Sequence, residues 1–375
     1  GDGRADEYLM HAKGWGVTGN YHEYAYGPAI DQEGNMWVAL NCSIGKGSNP
    51  NNQWRGWSLR VKPDGSWSPM TGGFRSPSGI GTNLAGDVFA TDQQGNWYAT
   101  CTLMHVKEGV FHGHADALQF TKLPGATFQV KQPLPRNLTV AEAAKRIPAY
   151  HLPAVWFPYR KLGMSTTDIL VDRTQGMFGP FAGQLFCGEF TMSFVSRVFL
   201  EKIEGEYQGA CFRFHDGLDC AALRLQWGTD GSMYIGQSNR GWNSLGTKSY
   251  GLQRLQWNGE VPFEIKTMSA RPDGFTLTFT RPVNSKSATD AKSYMLSSYT
   301  YPYHSKYGGK ETDLIKLTIK SITLDADKQL VHLKLDGLRA GYVHELHADG
   351  VRDSTGQPLI HKAAYYTLNR IPKKK

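Results

Sequence analysis

Two histidines separated by one residue, His112 and His114, are the most conspicuous potential metal ligands in the chain. On a strand, residues two apart share a face, so both imidazoles could bind one ion. Zinc sites need at least three protein ligands, and no third histidine or cysteine adjoins this pair. The pattern therefore favours structural histidines over a metal site.

The first six residues, 1–6, are rich in aspartate and glycine, which is typical of calcium-binding turns. The loop is cut at its own start, so we expect the chain to be a fragment or a processed product. Four tryptophans could instead act as platforms on which a sugar ring stacks, although packing is the commoner role of this residue. These are Trp15, Trp54, Trp57 and Trp242.

The five cysteines form neither a CxxC nor a CxxCH motif, which argues against a zinc ribbon and a covalently attached c-type haem. One or two disulfides with a leftover thiol would fit an oxidising compartment, and buried free thiols fit nearly as well. The residues concerned are Cys42, Cys101, Cys187, Cys211 and Cys220.

Composition points to a globular, all-β protein. The 375 residues are 40% hydrophobic and 12% aromatic, with 42 glycines, and amphipathic helical patterns are scarce. No apolar stretch is long enough to predict a membrane span. The net charge of +8 is scattered apart from a basic tail at 371–375, and no nucleic-acid-binding motif accompanies it. We therefore expect no nucleic-acid partner.

One hairpin pattern recurs along the first two thirds of the chain. Each copy places a Gly/Asn or Asp-Gly turn between two alternating apolar runs, which is the strongest short signal for a β-hairpin. The copies lie at residues 28–39, 59–67, 83–91 and 225–236. Repeated hairpins of this kind are typical of β-propeller blades.

Two changes of pattern set the predicted domain limits. Residues 123–159 are proline-rich and read as an insertion with one short helix, which Thr139 and Glu142 begin as a capping box. After Pro262 the chain alternates polar and apolar residues with the period of half-buried antiparallel strands. We therefore predict a propeller portion at 1–262, a separate immunoglobulin-like β-sandwich at 263–370 and the basic tail at 371–375.

The propeller portion resembles the glucose/sorbosone dehydrogenases, soluble quinoproteins built on a six-bladed β-propeller. The resemblance rests on two segments, residues 22–41 and 75–96, with residues 58–65 following the family's order between them. Residues 251–257, 262–265 and 365–370 extend the resemblance over nearly the whole chain, to large secreted proteins of Planctomycetes-type bacteria that carry this propeller and a C-terminal sandwich. Six blades need more chain than precedes Pro262, so we expect one or two N-terminal blades to be missing, and another chain could supply them.

The resemblance implies a site. His22 matches the family's general base, and its near-neutral intrinsic pKa suits that role. Arg75 matches the arginine that contacts pyrroloquinoline quinone, although Ser76 stands where the family tends to have asparagine. Gln94 and Gly95 fall where main-chain carbonyls bind calcium.

Two further arginines flank the last clear hairpin, Arg224 before it and Arg240 after it. Either could place a second cation over a cofactor or an anionic sugar. The resulting hypothesis is a secreted or periplasmic quinoprotein that oxidises a sugar or a glycan-derived alcohol. The alternative is a non-catalytic propeller that binds carbohydrate or a partner protein.

Overall fold

A computed structural model describes residues 2–44 and 52–374. Most of the ordered elements are antiparallel strands, with only short helices, as the composition predicts. Among the described residues, no helix is both long and apolar enough to cross a lipid bilayer. The strands form four successive antiparallel meanders, the third of which continues into a larger sheet, followed by a C-terminal region.

The first sheet, blade 1, is a four-stranded meander in which each strand pairs with the next along the chain. Its first turn is set locally, because the carboxylate of Asp31 accepts hydrogen bonds from the backbone of Glu33 and Asn35 and from the indole of Trp37. The strands are β1 (Ala25–Ile30), β2 (Met36–Leu40), β3 (Trp57–Val61) and β4 (Trp67–Gly72).

The second sheet, blade 2, consists of β5 (Pro77–Thr82), β6 (Val88–Asp92), β7 (Cys101–Val106) and β9 (Val155–Phe157). An insertion between its last two strands carries β8 (Leu138–Thr139) and helix α1 (Val140–Arg146). Thr139 and Glu142 form the predicted capping box. The predicted insertion at 123–159 is too long at its end, because β9 already belongs to the blade.

The third and fourth sheets continue the series. Blade 3 consists of β10 (Thr166–Val171), β11 (Leu185–Glu189), β12 (Phe194–Ile203) and β13 (Glu206–His215). Blade 4 has three strands, β14 (Ala222–Trp227), β15 (Met233–Ser238) and β16 (Tyr250–Leu255). All four predicted hairpins are confirmed as antiparallel strand pairs.

The first strands of neighbouring blades lie side by side: β1 beside β5, β5 beside β10, and β10 beside β14. A series of meander sheets packed through their first strands is the arrangement of propeller blades. The family's count of six blades stays a prediction, because the described residues form four such sheets.

The remaining strands form two layers. One layer is the sheet β17-β18-β23-β22, and the other joins β25, β24, β19 and β21 in that order. Their facing side chains share one apolar core, with Phe275, Leu333 and Tyr366 fully buried within it. The strands are β17 (Ile265–Arg271), β18 (Gly274–Phe279), β19 (Met295–Thr300), β20 (Pro302–Tyr303), β21 (Thr312–Lys316), β22 (Thr318–Leu324), β23 (Leu330–Asp336), β24 (Tyr342–His347) and β25 (Ala363–Leu368), with helix α2 at Ser285–Ala288.

No break in the sheets separates this region from the blades, so the prediction of a separate sandwich is wrong in that respect. Strand β25 pairs antiparallel with β13, from Gly209 opposite Thr367 to Cys211 opposite Tyr365. Blade 3 and the second layer are therefore one eight-stranded sheet. The short strand β20 also pairs with β8 of the blade 2 insertion. The boundary at Pro262 and the immunoglobulin-like class stay predictions.

Candidate functional site

A cavity of about 480 Å³ opens at one end of the four blades. In a hairpin, the start of the first strand and the end of the second lie at the same end, and these positions line the cavity in successive blades. They include Tyr24 and Asn41 of blade 1, Ser76 and Gln93 of blade 2, and Ser165 of blade 3. No aspartate or glutamate lines this cavity among the described residues.

His22, the predicted base, lies on the wall of this cavity just before β1. Its backbone N–H donates to the side chain of Asn20 (2.9 Å), and its ring contacts Tyr21 edge-on. Burial, together with the charges of Arg75 and Arg240, lowers the pKa of His22. The imidazole is therefore neutral at pH 7 and able to accept a proton.

Arg75 also lines this cavity, and it lies just before β5. Its side chain is buried, and its guanidinium donates to the carbonyl of Gln94 (3.3 Å) and lies 5.2 Å from the ring centre of Tyr307. A Cβ at Gly95 would overlap the Arg75 side chain in its present position, so the glycine leaves room for the guanidinium to lie against the backbone. Arg75 thus keeps most of its donors for whatever enters the cavity.

The carboxylate of Asp92, at the end of β6, holds the Arg75 segment in place. It accepts three backbone hydrogen bonds, from Arg75 (2.7 Å), Ser76 (2.8 Å) and Gln93 (2.7 Å). Asp92 is fully buried, and this burial raises its pKa to about 6. The sequence did not single out Asp92, although an acid at the end of an apolar strand is a signal that could have found it.

Glu189 occupies the corresponding position at the end of β11 in blade 3. It accepts backbone hydrogen bonds from Met164 (2.8 Å), Ser165 (2.5 Å) and Met192 (2.5 Å). Burial raises the pKa of Glu189 to about 7. Sequence reasoning also missed this residue, which fixes the part of the cavity wall that blade 3 provides.

Arg240 brings a second guanidinium to the cavity, from the loop after β15. It donates a hydrogen bond to the Tyr26 hydroxyl and lies over the ring of Tyr24, 4.4 Å from its centre. Its carbonyl accepts a hydrogen bond from Tyr21 (3.3 Å). The structure therefore brings His22, Arg75 and Arg240 together around one cavity, as the sequence predicted.

Arg224, the other arginine predicted to bind the cofactor, lies between the first strands of the blades and is not among the residues that line the cavity. It donates to the carbonyls of Ser78 (3.1 Å) and Leu223 (2.7 Å), and it packs over the ring of Tyr26. Its charge also lowers the pKa of Asp168, although burial raises that pKa overall. Arg224 thus links the first strands of the four blades, and the cofactor-binding role predicted for it is not supported.

Gln94 and Gly95 do not form the predicted calcium site. The Gly95 carbonyl accepts backbone hydrogen bonds from Tyr98 (3.1 Å) and Gly308 (2.9 Å). The Gln94 carbonyl faces the guanidinium of Arg75, whose charge repels a cation. Calcium needs six or more oxygen ligands, usually including carboxylates, and the described cavity wall has no carboxylate.

The two candidate metal-binding histidines point to different neighbours. His112 is fully buried against Phe74, and both of its ring nitrogens lack hydrogen-bond partners. His114 instead begins a 3-10 helix by accepting a hydrogen bond from Asp116, and its Nδ1 lies 3.7 Å from Sγ of Cys42. The ligand atoms of Cys42, His114 and Asp116 lie within 4.8 Å of one another, the one such group among the described residues. His112 and His114 therefore share no site.

The remaining candidates divide clearly. Trp54 and Trp57 pack in the main core and Trp15 packs against it, as structural tryptophans do, whereas Trp242 lines the cavity with 55% of its surface exposed. All five cysteines are buried free thiols. At the chain start, Asp2 accepts a hydrogen bond from the backbone of Arg4 and joins no metal-ligand group among the described residues.

Tyr307 was not foreseen, because it belongs to the C-terminal region. It lines the cavity and lies against Arg75. The backbone around it is held by Gly95, Asn96 and Trp97, with hydrogen bonds of 2.9 Å from Gly308 to Gly95 and 3.1 Å from Trp97 to His304. No local sequence pattern marks such a contact between distant segments.

No family model matches the chain, and no curated protein sequence matches it. Among solved structures, similar chains include an oxidoreductase (glucose dehydrogenase) from Thermus thermophilus, with 17% identity and a TM-score of 0.42. Another is the PQQ-bound aldose sugar dehydrogenase from Streptomyces coelicolor, with 16% identity and a TM-score of 0.39. A third, a glucose dehydrogenase, has 16% identity and a TM-score of 0.39.

These matches are partial. They cover 60%, 61% and 66% of this chain, and 62%, 60% and 66% of the respective neighbours. Similarity at this level assigns no activity and no residue role to this chain.

Proposed function

We propose that this protein is a quinoprotein that oxidises a sugar or a glycan-derived alcohol. The observation that carries the proposal is the convergence of His22, Arg75 and Arg240 on one cavity whose described lining has no carboxylate. Pyrroloquinoline quinone is a flat aromatic anion with three carboxylates. Guanidinium groups pair well with carboxylates, and aromatic side chains such as Tyr24 and Trp242 offer rings for stacking.

The residues present therefore fit the quinone. Arg75 and Arg240 would hold its carboxylates, and the unpartnered Oδ1 of Asn41, which is buried at the cavity wall, would accept a hydrogen bond from a bound hydroxyl. When bound, the quinone supplies the hydride acceptor. Calcium does not fit Gln94 and Gly95, so no calcium-dependent step is assigned.

His22 acts as general base in this proposal. A hydroxyl of the substrate has to lose its proton as hydride leaves the carbon that bears this hydroxyl. A neutral imidazole at the cavity wall can accept that proton. Burial lowers the pKa of His22, and the positive charges of Arg75 and Arg240 add to that effect, so the neutral form is favoured before the reaction. Asp92 acts on this chemistry only by positioning the Arg75 segment.

The test combines quinone binding with dye-linked oxidation of a panel of aldoses and sugar alcohols, in calcium and in EDTA. We expect binding in both buffers. His22→Ala should lower turnover about a hundredfold or more, and Arg75→Ala should raise the dissociation constant of the quinone. His11→Ala, which alters an exposed histidine outside the cavity, is the matched control. Absence of both quinone binding and oxidation would overturn the proposal.

The alternative, a binding module within a larger complex, is favoured by a separate feature. Blade 4 ends at β16, where Tyr250 and Leu252 are 78% and 70% exposed, and Leu245 before it is 75% exposed. An exposed apolar strand at a sheet edge is a site for pairing with another chain. Under this proposal another chain contributes blade strands at that edge. Secretion or a periplasmic location also remains a proposal.

A further inference from the structure

A second cavity, of about 740 Å³, adjoins the first and is formed largely by residues 301–311 of the C-terminal region. The two cavities share Gln94, Tyr159 and Tyr307 as lining residues. They therefore form one cleft, in which the predicted reaction site occupies one end and the C-terminal segment forms the other.

The C-terminal segment, residues 301–311, is fixed against blade 2 by hydrogen bonds. The Asn96 side chain donates to the carbonyl of Ser305 (2.9 Å), and the backbone of Gly309 donates to Ala99 (3.0 Å). Gly308 has a positive φ of 62°, and a side chain there would press on Gln94. The wall of the second cavity is thus held in place by contacts within the chain itself.

The unpaired charge of this wall is positive. Lys306 and Lys310 are exposed at the cavity and form no ion pair with the described residues. Glu311, the carboxylate among its described lining residues, is paired with Lys161 (2.9 Å). With Arg75 and Arg240 at the other end, positive charge extends along the whole cleft.

The same wall offers groups that suit a sugar. Tyr307 and Tyr159 are 65% and 36% exposed, so each can stack on a sugar ring. The Nδ1 atom of His304 is buried at the cavity and lacks a hydrogen-bond partner, and a sugar hydroxyl would satisfy it. The exposed rings and the unsatisfied nitrogen suit a sugar. The two unpaired lysines add a preference for a sugar that carries an acidic group.

We infer that this second cavity is a subsite for an acidic sugar unit of a glycan chain, bearing a carboxylate or a sulfate. The inference rests on the proposed function only in that the neighbouring unit of the same glycan would be the one oxidised. The C-terminal region is then part of the substrate site rather than a spacer.

The experiment is calorimetric binding at low salt, without quinone, of a tetragalacturonate, its fully methyl-esterified neutral form and a sulfated tetrasaccharide. We expect at least one acidic glycan to bind more tightly than the neutral ester, with affinity falling as salt rises. The double variant Lys306→Gln/Lys310→Gln should weaken that binding by about fivefold per lysine. The tighter of the two acidic probes identifies the acidic group.

The matched control is Lys286→Gln/Lys292→Gln, which removes two exposed lysines of the C-terminal region outside the cleft. Equal affinity for the ester and both acidic probes, or equal loss in the two double variants, would overturn the inference. Since this assay needs neither quinone nor turnover, its result is separate from that of the dehydrogenase test. Unfolding curves of each variant confirm that the fold is retained.

Discussion

Blades 2 and 3 use the same arrangement of a buried carboxylate, but only in blade 2 does the segment held in this way carry a charged side chain that lines the cavity, Arg75. In each, a buried carboxylate at the end of the second strand accepts two backbone hydrogen bonds from residues just before the first strand and one from a residue just after the second strand. Asp92 thereby fixes the backbone of Arg75, whereas Glu189 fixes Met164, Ser165 and Met192. The comparison therefore distinguishes the contribution of such a carboxylate to the stability of a blade from its contribution to the position of a cavity side chain.

The largest effect should come from deleting either carboxylate. Asp92→Ala and Glu189→Ala each leave three buried N–H groups without an acceptor, so each should lower the free energy of unfolding by about 3 kcal/mol or more. Urea denaturation measures this loss. Asp64→Ala, in an exposed turn of blade 1, is the control and should change stability far less. A comparable loss in the control would show that the two buried carboxylates have no special weight.

A smaller and more selective effect should follow from the isosteric amides. The backbone N–H groups of Ser76 and Gln93 donate to one oxygen of Asp92, and that of Arg75 donates to the other. In Asp92→Asn, the amide oxygen can keep the first two hydrogen bonds, and the Arg75 N–H then faces the NH2 group, which cannot accept. We therefore expect quinone binding to weaken about tenfold. Glu189→Gln leaves the Met192 N–H in that position instead, and Met192 is absent from the cavity lining.

Glu189→Gln should accordingly bind the quinone nearly as the unmodified protein does. Titration of both variants by tryptophan fluorescence tests the contrast. Equal weakening in the two variants would mean that blade 3 positions the reactive groups as much as blade 2 does.

The smallest effect concerns charge across the cavity. The positive charge of Arg75 contributes to the lowered pKa of His22, so Arg75→Gln should raise that pKa. Less of the neutral base is then present at a given pH, and the acidic limb of any rate profile moves to higher pH. Two-dimensional NMR of the histidine rings in the quinone-free protein measures the shift.

Arg213→Gln is the control for this third prediction, because Arg213 interacts with Glu189 in blade 3 and is not among the charges that act on His22. If both substitutions moved the His22 titration equally, the link between Arg75 and His22 would be lost.

The sequence predicted those parts of the fold whose causes are local. Asp31 shows why, because its carboxylate sets the first hairpin turn from within five neighbouring residues. The convergence of His22, Arg75 and Arg240 was predictable once the hairpins were assigned to blades, since a blade brings loop positions to one end. Neither inference required knowledge of distant contacts.

The features that were missed depend on contacts between distant parts of the chain. The pairing of β13 with β25 joins strands whose alternating patterns would suit many partners, so no residue in either strand specifies it. Tyr307 reaches Arg75 only because residues 304–309 pack on blade 2. The predicted calcium site failed for a related reason, since the side chain of Arg75 turned out to lie against the carbonyl of Gln94.

The pairing of β13 with β25 has a consequence for how the protein reaches its native state. Gln208 and Tyr366, which are hydrogen-bonded beside this junction, are 158 residues apart in the chain. Contacts of such large sequence separation pay a high loop-closure cost and form slowly. During synthesis the four blades emerge before residues 301–311 and before β25, so the acidic-sugar subsite and the junction with β25 are both assembled after the blades. A chain interrupted before Ala363 would lack the strand that joins these two parts of the eight-stranded sheet.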